Sequence, residues 1–327
     1  MSTPLPVGLS PYISPETLTS APTGIDWTGI PVGDDITAAE NVNEQWNMIR
    51  RATDRVDGYC NQIMRATLDT ELLHGPDYRV TVGPASGGMV PSPYWGGSNA
   101  TNARIILARW PVLEVTNVQV SPNAFPRNWV TVTSGYYEPE VPPIGIYGTV
   151  APGGDAQGGQ AILVGGGFID WQLARNGYAI KVSYINGYPH TVLTSAVIAG
   201  ATSLPVQDTT GWAISNYFGT ATGATGIIKD SGQQETVQVS AASTTSGPGN
   251  LTVPAITYPH PAGTVITTLP ASIEQACIWF AAAEALARGA TTTTIHDVGG
   301  HAQGTGGDYP DLIRNAETLL KPFRRTI

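Results

Sequence analysis

Four side chains of the kind that hold metals or move protons crowd one short window of the sequence: His296, Asp297, His301 and Asp308. Imidazole and carboxylate are common ligands for zinc-like ions. The window, "TTTTIHDVGGHAQGTGGD", is rich in Gly and Thr, whereas a dedicated site needs a fixed scaffold and outer hydrogen bonds to orient its rings. It reads as a solvated loop, and whether the His296/His301 stretch binds anything stays open. Ser98, in "GGSNA", is the nearest approach to a nucleophile elbow, but Ala100 stands where the sharp turn wants glycine. Glu138 and Glu140 flank Pro139 and read as a poor acid and base pair. His190 in "GYPH" and His260 in "YPHP" read as turn residues at strand ends, with no acid or base partner visible nearby. Phosphate-binding, dinucleotide-binding, His-Glu-x-x-His and Cys-x-x-Cys signatures are absent. Cys60 and Cys277 fall on apolar helix faces and read as small buried hydrophobes. The expectation is no catalytic residue, no metal and no cofactor.

Composition points the same way. The chain has 327 residues with net charge -9, and 13% of its residues are charged, about half the usual share of roughly 25%. Its only lysines are Lys181, Lys229 and Lys321, and no basic run interrupts its body. A nucleic-acid reader needs a basic stripe to release counterions, so sequence-specific DNA or RNA binding is disfavoured. A length beyond about 250–300 residues usually splits into more than one core. The start, "MSTPLPVGLSP", carries neither a charge cluster nor an apolar run, and no stretch approaches the roughly 18 apolar residues of a membrane span. A soluble product made in the cytoplasm is expected.

The elements that must position any chemistry are legible in part. Residues 1–36, rich in Pro, Gly, Ser and Thr, read as an extended arm that a neighbour must order. Thr37 and Glu40 form a capping box, and Val42, Trp46, Ile49, Thr53, Val56, Cys60 and Ile63 recur at helical spacing. They define the buried face of a helix of roughly 28 residues. Arg50, Arg51, Asp54, Arg55 and Asp57 lie opposite. Residues 78–188 read as strands, among them "ARIILARWPVLEVTNVQV", broken at Trp110-Pro111, and "KVSYI", ending at the Asn186-Gly187 turn.

Between 190 and 269 lie six short strand candidates, "AVIAG", "SLPV", "GIIKD", "ETVQVSA", "LTVPAIT" and "GTVITT", in a stretch almost free of charge. They suggest an inserted small barrel or sandwich. Ser272 and Gln275 then read as a capping box for an Ala-rich helix closed by Gly289. A polar linker leads to a last helix with Leu312, Ile313, Ala316, Leu319 and Leu320 on one face and Pro322 at its end. The fold class expected is α+β: a small helical core with β-hairpin strands and an inserted β-domain. The domains are a 1–36 arm, a 37–189 plus 270–290 core, a 190–269 insertion and a 291–327 linker with a docking helix.

The order of helix, hairpin, strand ending in a Gly-Tyr turn, Ala-rich helix and tethered last helix resembles the head-to-tail adaptor, or connector, family of long-tailed bacteriophages. The segments that carry it are "NMIRRATDRVDGYCNQIMRATLDTELLHGPDYRV", "RIILARWPVLEVTNVQV", "KVSYINGYP" and "PASIEQACIWFAAAEALARG". The insertion resembles a small β-domain that recurs in phage structural proteins and departs from compact adaptors. The resemblance implies a virion protein at the head-tail interface: a homo-oligomeric ring, dodecameric in the family's manner, beneath the portal protein. It implies a neck, stopper or tail protein below, and DNA passing through without sequence-specific binding or membrane contact. On that footing Leu312, Ile313, Ala316, Leu319 and Leu320 dock into the portal, while Arg314, Lys321, Arg324 and Arg325 meet acidic groups or DNA. The competing readings are a carbohydrate- or receptor-binding virion decoration, a stopper or tail terminator, and a hydrolase using Ser98 or the histidine linker.

Overall fold

The computed structural model of the chain describes residues 10–30, 37–74, 103–122, 127–131, 137–139, 161–164, 178–215, 221–230, 232–290, 294–296, 302–304 and 309–325. It is a mixed α+β fold with antiparallel sheets. Its helices are α1 (Pro15–Ser20), α2 (Ala38–Cys60), α3 (Ala271–Ala287) and α4 (Tyr309–Leu320).

Helix α2 starts where the capping box places it. The Glu40 amide donates to Thr37 Oγ1 at 3.3 Å, and the Thr37 amide donates to Glu40 Oε2 at 2.9 Å. It stops earlier than expected, after 23 residues. Asn61 takes the left-handed conformation (φ 55°), and the Gln62 amide turns back to Asp57 O at 3.2 Å. Ile63 therefore lies beyond the helix. The inward face is also rotated at its first turns. Val42 is 43% exposed, whereas Asn41 and Gln45 are buried. The cause is polar: Asn41 Nδ2 and Gln45 Nε2 both donate to the Trp27 carbonyl, at 2.9 and 3.3 Å. A buried backbone carbonyl needs a donor more than the core needs one valine. Farther on, Ile49, Thr53, Val56 and Cys60 are buried as the spacing requires, Met48 and Ala52 join them, and Trp46 packs against them half-buried.

The donors that bury Asn41 and Gln45 serve a segment expected to be an extended, partner-dependent arm. Residues 10–30 instead lie on their own chain's helices. Tyr12, Ile13, Leu18, Trp27 and Ile30 all belong to the helical core, and α1 is capped by Ser14, whose Oγ accepts from the Thr17 amide at 3.1 Å. The apolar residues of this Pro-rich stretch recur at no helical or strand period, so their burial is a tertiary effect. Residues 1–9 and 31–36 lie outside the described residues.

Helix α3 differs from expectation at its start and agrees at its end. Pro270 is the N-cap and no side chain caps the helix; Ser272 and Gln275 sit inside its first turns. The Pro270 carbonyl accepts from the Ile273 amide at 2.9 Å, and proline needs no donor of its own there. At the other end Gly289 (φ 86°) closes the helix. Its amide reaches Leu286 O and the Ala290 amide reaches Ala285 O, both at 3.0 Å, the double bond of a Schellman motif. The seven alanines of α3 leave room for neighbours on two sides, and α2 and α4 both pack there.

Four antiparallel strands form the sheet beside these helices: β1 (Thr67–His74), β2 (Val112–Pro122), β3 (Val130–Thr131) and β4 (Tyr178–Asn186), in the order β1-β4-β2-β3. Strand β4 ends at the expected Asn186-Gly187 turn. Gly187 has φ 94°, and a Cβ there would sit 2.3 Å from Arg65 O, so the position accepts only glycine. Two bonds made by Tyr188 with Met64 O and the Ala66 amide lock this turn to the strand entering β1.

The inserted unit follows directly. Besides a small hairpin of Ala213–Ser215 with Ala221–Gly223, its strands are β5 (His190–Val192), β6 (Ser203–Val206), β7 (Thr225–Lys229), β8 (Glu235–Gln238), β9 (Ala241–Ala242), β10 (Gly249–Thr252) and β11 (Val265–Thr267). They form one sheet ordered β8-β7-β11-β5 and another ordered β9-β10-β6, with one core between them that includes Leu204, Val206, Trp212, Ile228, Val237, Leu251 and Ile266. No closed barrel forms among the described residues. "AVIAG" is not a strand; Val197 makes a single bridge to His260. In the stretch expected to be a polar linker, Thr294–His296 pairs with Ala302–Gly304.

Candidate functional site

Polar side chains gather at three buried places, and each joins segments far apart in sequence. The first clasps residues 10–14. The Tyr12 hydroxyl donates to Asp57 Oδ1 and accepts from the amides of Met64 at 3.0 Å and Arg65 at 3.3 Å. Asp57, expected on the solvent face of α2, is thus turned to the arm. Burial pushes its carboxyl up to about 6, against the hydrogen bonds from Tyr12 and Met64. Burial and the neighbouring Asp57 carboxylate push the Tyr12 hydroxyl well above its ordinary value. On the other side His190, 3% exposed, bonds Pro11 O through Nε2 and Thr267 Oγ1 through Nδ1, both at 2.9 Å. Burial lowers this ring to about 4, so it is neutral near pH 7 and has one N–H. The carbonyl of Pro11 can only accept, which puts that hydrogen on Nε2 and makes Nδ1 the acceptor for Thr267. The same Thr267 oxygen takes the Leu269 amide at 3.0 Å. One histidine thereby ties the arm to both ends of the inserted unit.

The second cluster lies under the sheet. Asp69 and Glu71, two apart on β1, share a face. Glu71 accepts the Ala108 amide with both oxygens at 3.0 Å and also accepts from the Tyr184 hydroxyl. Asp69 accepts from Arg109 Nη1 at 2.9 Å and Asn186 Nδ2 at 2.6 Å. This holds the 107–111 segment, which leads into β2, against the sheet. Burial and the bond to Glu71 raise the Tyr184 hydroxyl far above its ordinary range, which keeps it protonated and donating to Glu71.

The third cluster is in the inserted unit. His260 Nδ1 lies 2.9 Å from Asp230 Oδ2 and its Nε2 2.8 Å from Glu235 Oε1. The adjacent Lys229 leaves the unit to meet Glu274 of α3 at 2.8 Å. Burial raises the Glu274 carboxyl despite that partner.

In all three clusters the reactive atoms are turned toward one another, and the bonds hold loops and units in place. Among the described residues no group of three His, Cys, Asp or Glu side chains is arranged for a metal ion. Both cysteines are unbridged, with burial pushing each thiol up to about 12, so neither is a ready nucleophile. No described helix is long and apolar enough to cross a membrane.

The candidates named from sequence divide sharply. Ser98, Asp297, His301, Asp308 and Glu140 lie outside the described residues. His296 and Glu138 are placed on short strands by their backbones. His190 and His260, read as turn residues without partners, are buried hubs instead. Their partners lie 25 or more residues away, and strand pairing delivers them. Trp212 of the inserted unit is fully buried and offers no ring face to a sugar.

The apolar face of α4 is occupied by its own chain. Ala316 and Leu320 are fully buried, Leu312, Ile313 and Leu319 pack beside them, and Phe323 stacks on Trp110 at 6.3 Å. Arg314 pairs with Asp311 in solvent at 2.6 Å, Lys321 is exposed, and Arg324 lies over the Tyr59 ring at 5.4 Å. The Arg325 amide donates to Cys60 O at 3.0 Å, fastening the chain's end to the end of α2. Comparison with protein-family models, curated proteins and solved structures yields no match.

Proposed function

We propose that this chain is an architectural virion protein, a head-to-tail adaptor that assembles as a ring beneath a portal and extends the DNA channel. One observation carries the reading. The segments that resemble adaptors, scattered along the sequence, come together as one body in which α2, α3 and α4 share a core and the β1-β4-β2 sheet joins it through the Gly187 turn. The polar clusters support it, since their groups bond to one another and hold distant parts of the chain together. The net charge of -9 suits a wall along which DNA slides without sticking. The inserted unit is then a small two-sheet sandwich displayed from the ring.

Portal docking by α4 uses its outer side in this reading, because its apolar face is committed inward. Arg314, Lys321 and Arg324 are exposed cations there. Truncation after Asp308 is a poor test, as it would open the helical core. Imaging and native mass of the full chain mixed with portal rings decide the matter: a ring of roughly a dozen copies on the portal is expected. A chain that stays monomeric and ignores the portal refutes the proposal. Charge reversal of Arg314 and Lys321 should weaken attachment without changing the melting temperature.

A second reading, a receptor- or carbohydrate-binding decoration, is favoured by the exposed Ile198 and Tyr258 on the inserted unit. It predicts binding of the full chain to immobilised glycans, lost in Tyr258→Ala.

A further inference from the structure

The inserted unit is nearly devoid of charge. Residues 191–269 hold four charged side chains, Asp208, Lys229, Asp230 and Glu235, and a single histidine, His260. Three of these rare groups meet at one buried point. The His260 side chain has no solvent exposure and the two carboxylates beside it have 11% each. Asp230 directly follows β7 and Glu235 opens β8, so the β7–β8 hairpin presents both carboxylates to a ring delivered by a separate segment.

Each of the two nitrogen–oxygen contacts needs a hydrogen between its heavy atoms. A neutral imidazole brings one, and two ionised carboxylates bring none. We propose that Asp230, His260 and Glu235 form a proton-loaded clasp, holding one hydrogen more than a neutral ring supplies and using it to fasten segment 257–260 to the β7–β8 hairpin.

Glu235 does more than face the ring. It accepts the Thr257 amide at 2.7 Å and the Tyr258 amide at 3.2 Å. Burial opposes its ionisation, but the bonds from Thr257, His260 and Tyr258 together hold its carboxyl below the ordinary value. In this clasp the additional hydrogen sits on the ring, with one N–H toward Asp230 and one toward Glu235. Among the described residues no other charge is placed to replace it. The neighbouring Val197 segment and residues 236–259 carry no charged side chain. Lys229 is turned to Glu274, and Asp208 is engaged by the Thr210 and Gly247 amides at 2.9 and 3.1 Å.

When that proton leaves, a ring lone pair faces a carboxylate oxygen at hydrogen-bond distance, and the two must separate. The His260 backbone forms both bonds of the bridge to Val197, at 2.9 and 3.0 Å, so its displacement loosens that edge as well. A clasp that holds this proton more tightly than the unfolded chain does makes the unit lose stability as pH rises. The clasp makes the inserted unit pH-responsive independently of what the ring proposal assigns to the whole chain.

Nitrogen-15 NMR of the histidine-labelled full chain, with His260→Gln for assignment, reads the proton directly. Both ring nitrogens of His260 should appear as N–H at about pH 7; a ring with one bare nitrogen at that pH overturns the proposal. Hydrogen exchange supplies a second readout. The Thr257 and Tyr258 amides should open with rising pH faster than the β10 amides, which the clasp does not touch. Glu235→Gln brings its own N–H to the second contact, so in that variant the pH-linked opening should vanish. A Glu235→Gln chain that opens with the wild-type pH dependence sinks the idea, and if the variant does not fold, the wild-type ring spectrum alone decides.

Discussion

Replacing His190 by glutamine should make the protein gain stability on mild acidification relative to wild type, whereas replacing Asp57 by asparagine should make it lose stability. Both groups clasp the same five residues, from opposite sides, and burial moves them in opposite senses. His190 falls from 6.5 to about 4. Its native form is short of a proton, so its contribution is present above the unfolded value and lost as pH falls toward 4. Asp57 rises from 3.8 to about 6. Its native form holds a proton that the unfolded form lacks, so its contribution is present at low pH and lost as pH rises through 6. At about 1.4 kcal/mol per pH unit, each is worth about 3 kcal/mol between its limits. Near pH 5 the His190 loss is about 2 kcal/mol and the Asp57 gain a little over 1, so wild-type docking of the arm changes by less than about 1 kcal/mol. The clasp is compensated. Urea unfolding at a series of pH values measures this as a difference between variants, in which carboxylates elsewhere cancel. Glutamine keeps a donor for Pro11 O and asparagine keeps an acceptor for the Tyr12 hydroxyl, so the bonds survive while the titrations do not. Refutation is plain: wild type and both variants tracing parallel curves between pH 8 and 5.

Leu320→Ala should cost about 2–5 kcal/mol by opening a cavity between α3 and α4, while Arg314→Glu, on the solvent side, should leave the melting temperature unchanged; equal effects would show that α4 does not pack on its own core. Gly187→Ala forces a Cβ onto the Arg65 carbonyl at a left-handed position, and soluble yield or melting temperature should fall sharply; an unchanged melting temperature would disprove the close approach. Lys229→Met leaves Glu274 buried without its cation, at a cost of about 3 kcal/mol near neutral pH. That cost should shrink on acidification as Glu274 takes a proton, and a pH-independent loss in thermal unfolding would argue against the ion pair.

Features decided within a few residues were legible in the sequence itself. The Thr37–Glu40 capping box, the Gly289 stop of α3 and the alternation that ends at Gly187 each depend on neighbours in the chain, and the structure has them where spacing put them. The α+β class followed from those periods. What depended on contacts across the chain was not legible. Val42 was assigned inward because the period favoured it, but a carbonyl from residue 27 claimed that side of α2 for Asn41 and Gln45. Ser272 has the chemistry of a cap, yet the preceding proline took the position. Tyr12 and Ile13 carry no periodic signal, and only their packing in the helical core, with Tyr12 bonded to Thr53 and Asp57 of α2, shows why they are buried. His190 and His260 had no partner within reach in sequence because strand pairing brings residues together over dozens of positions, and a buried polar group is stable only where such pairing completes its hydrogen bonds.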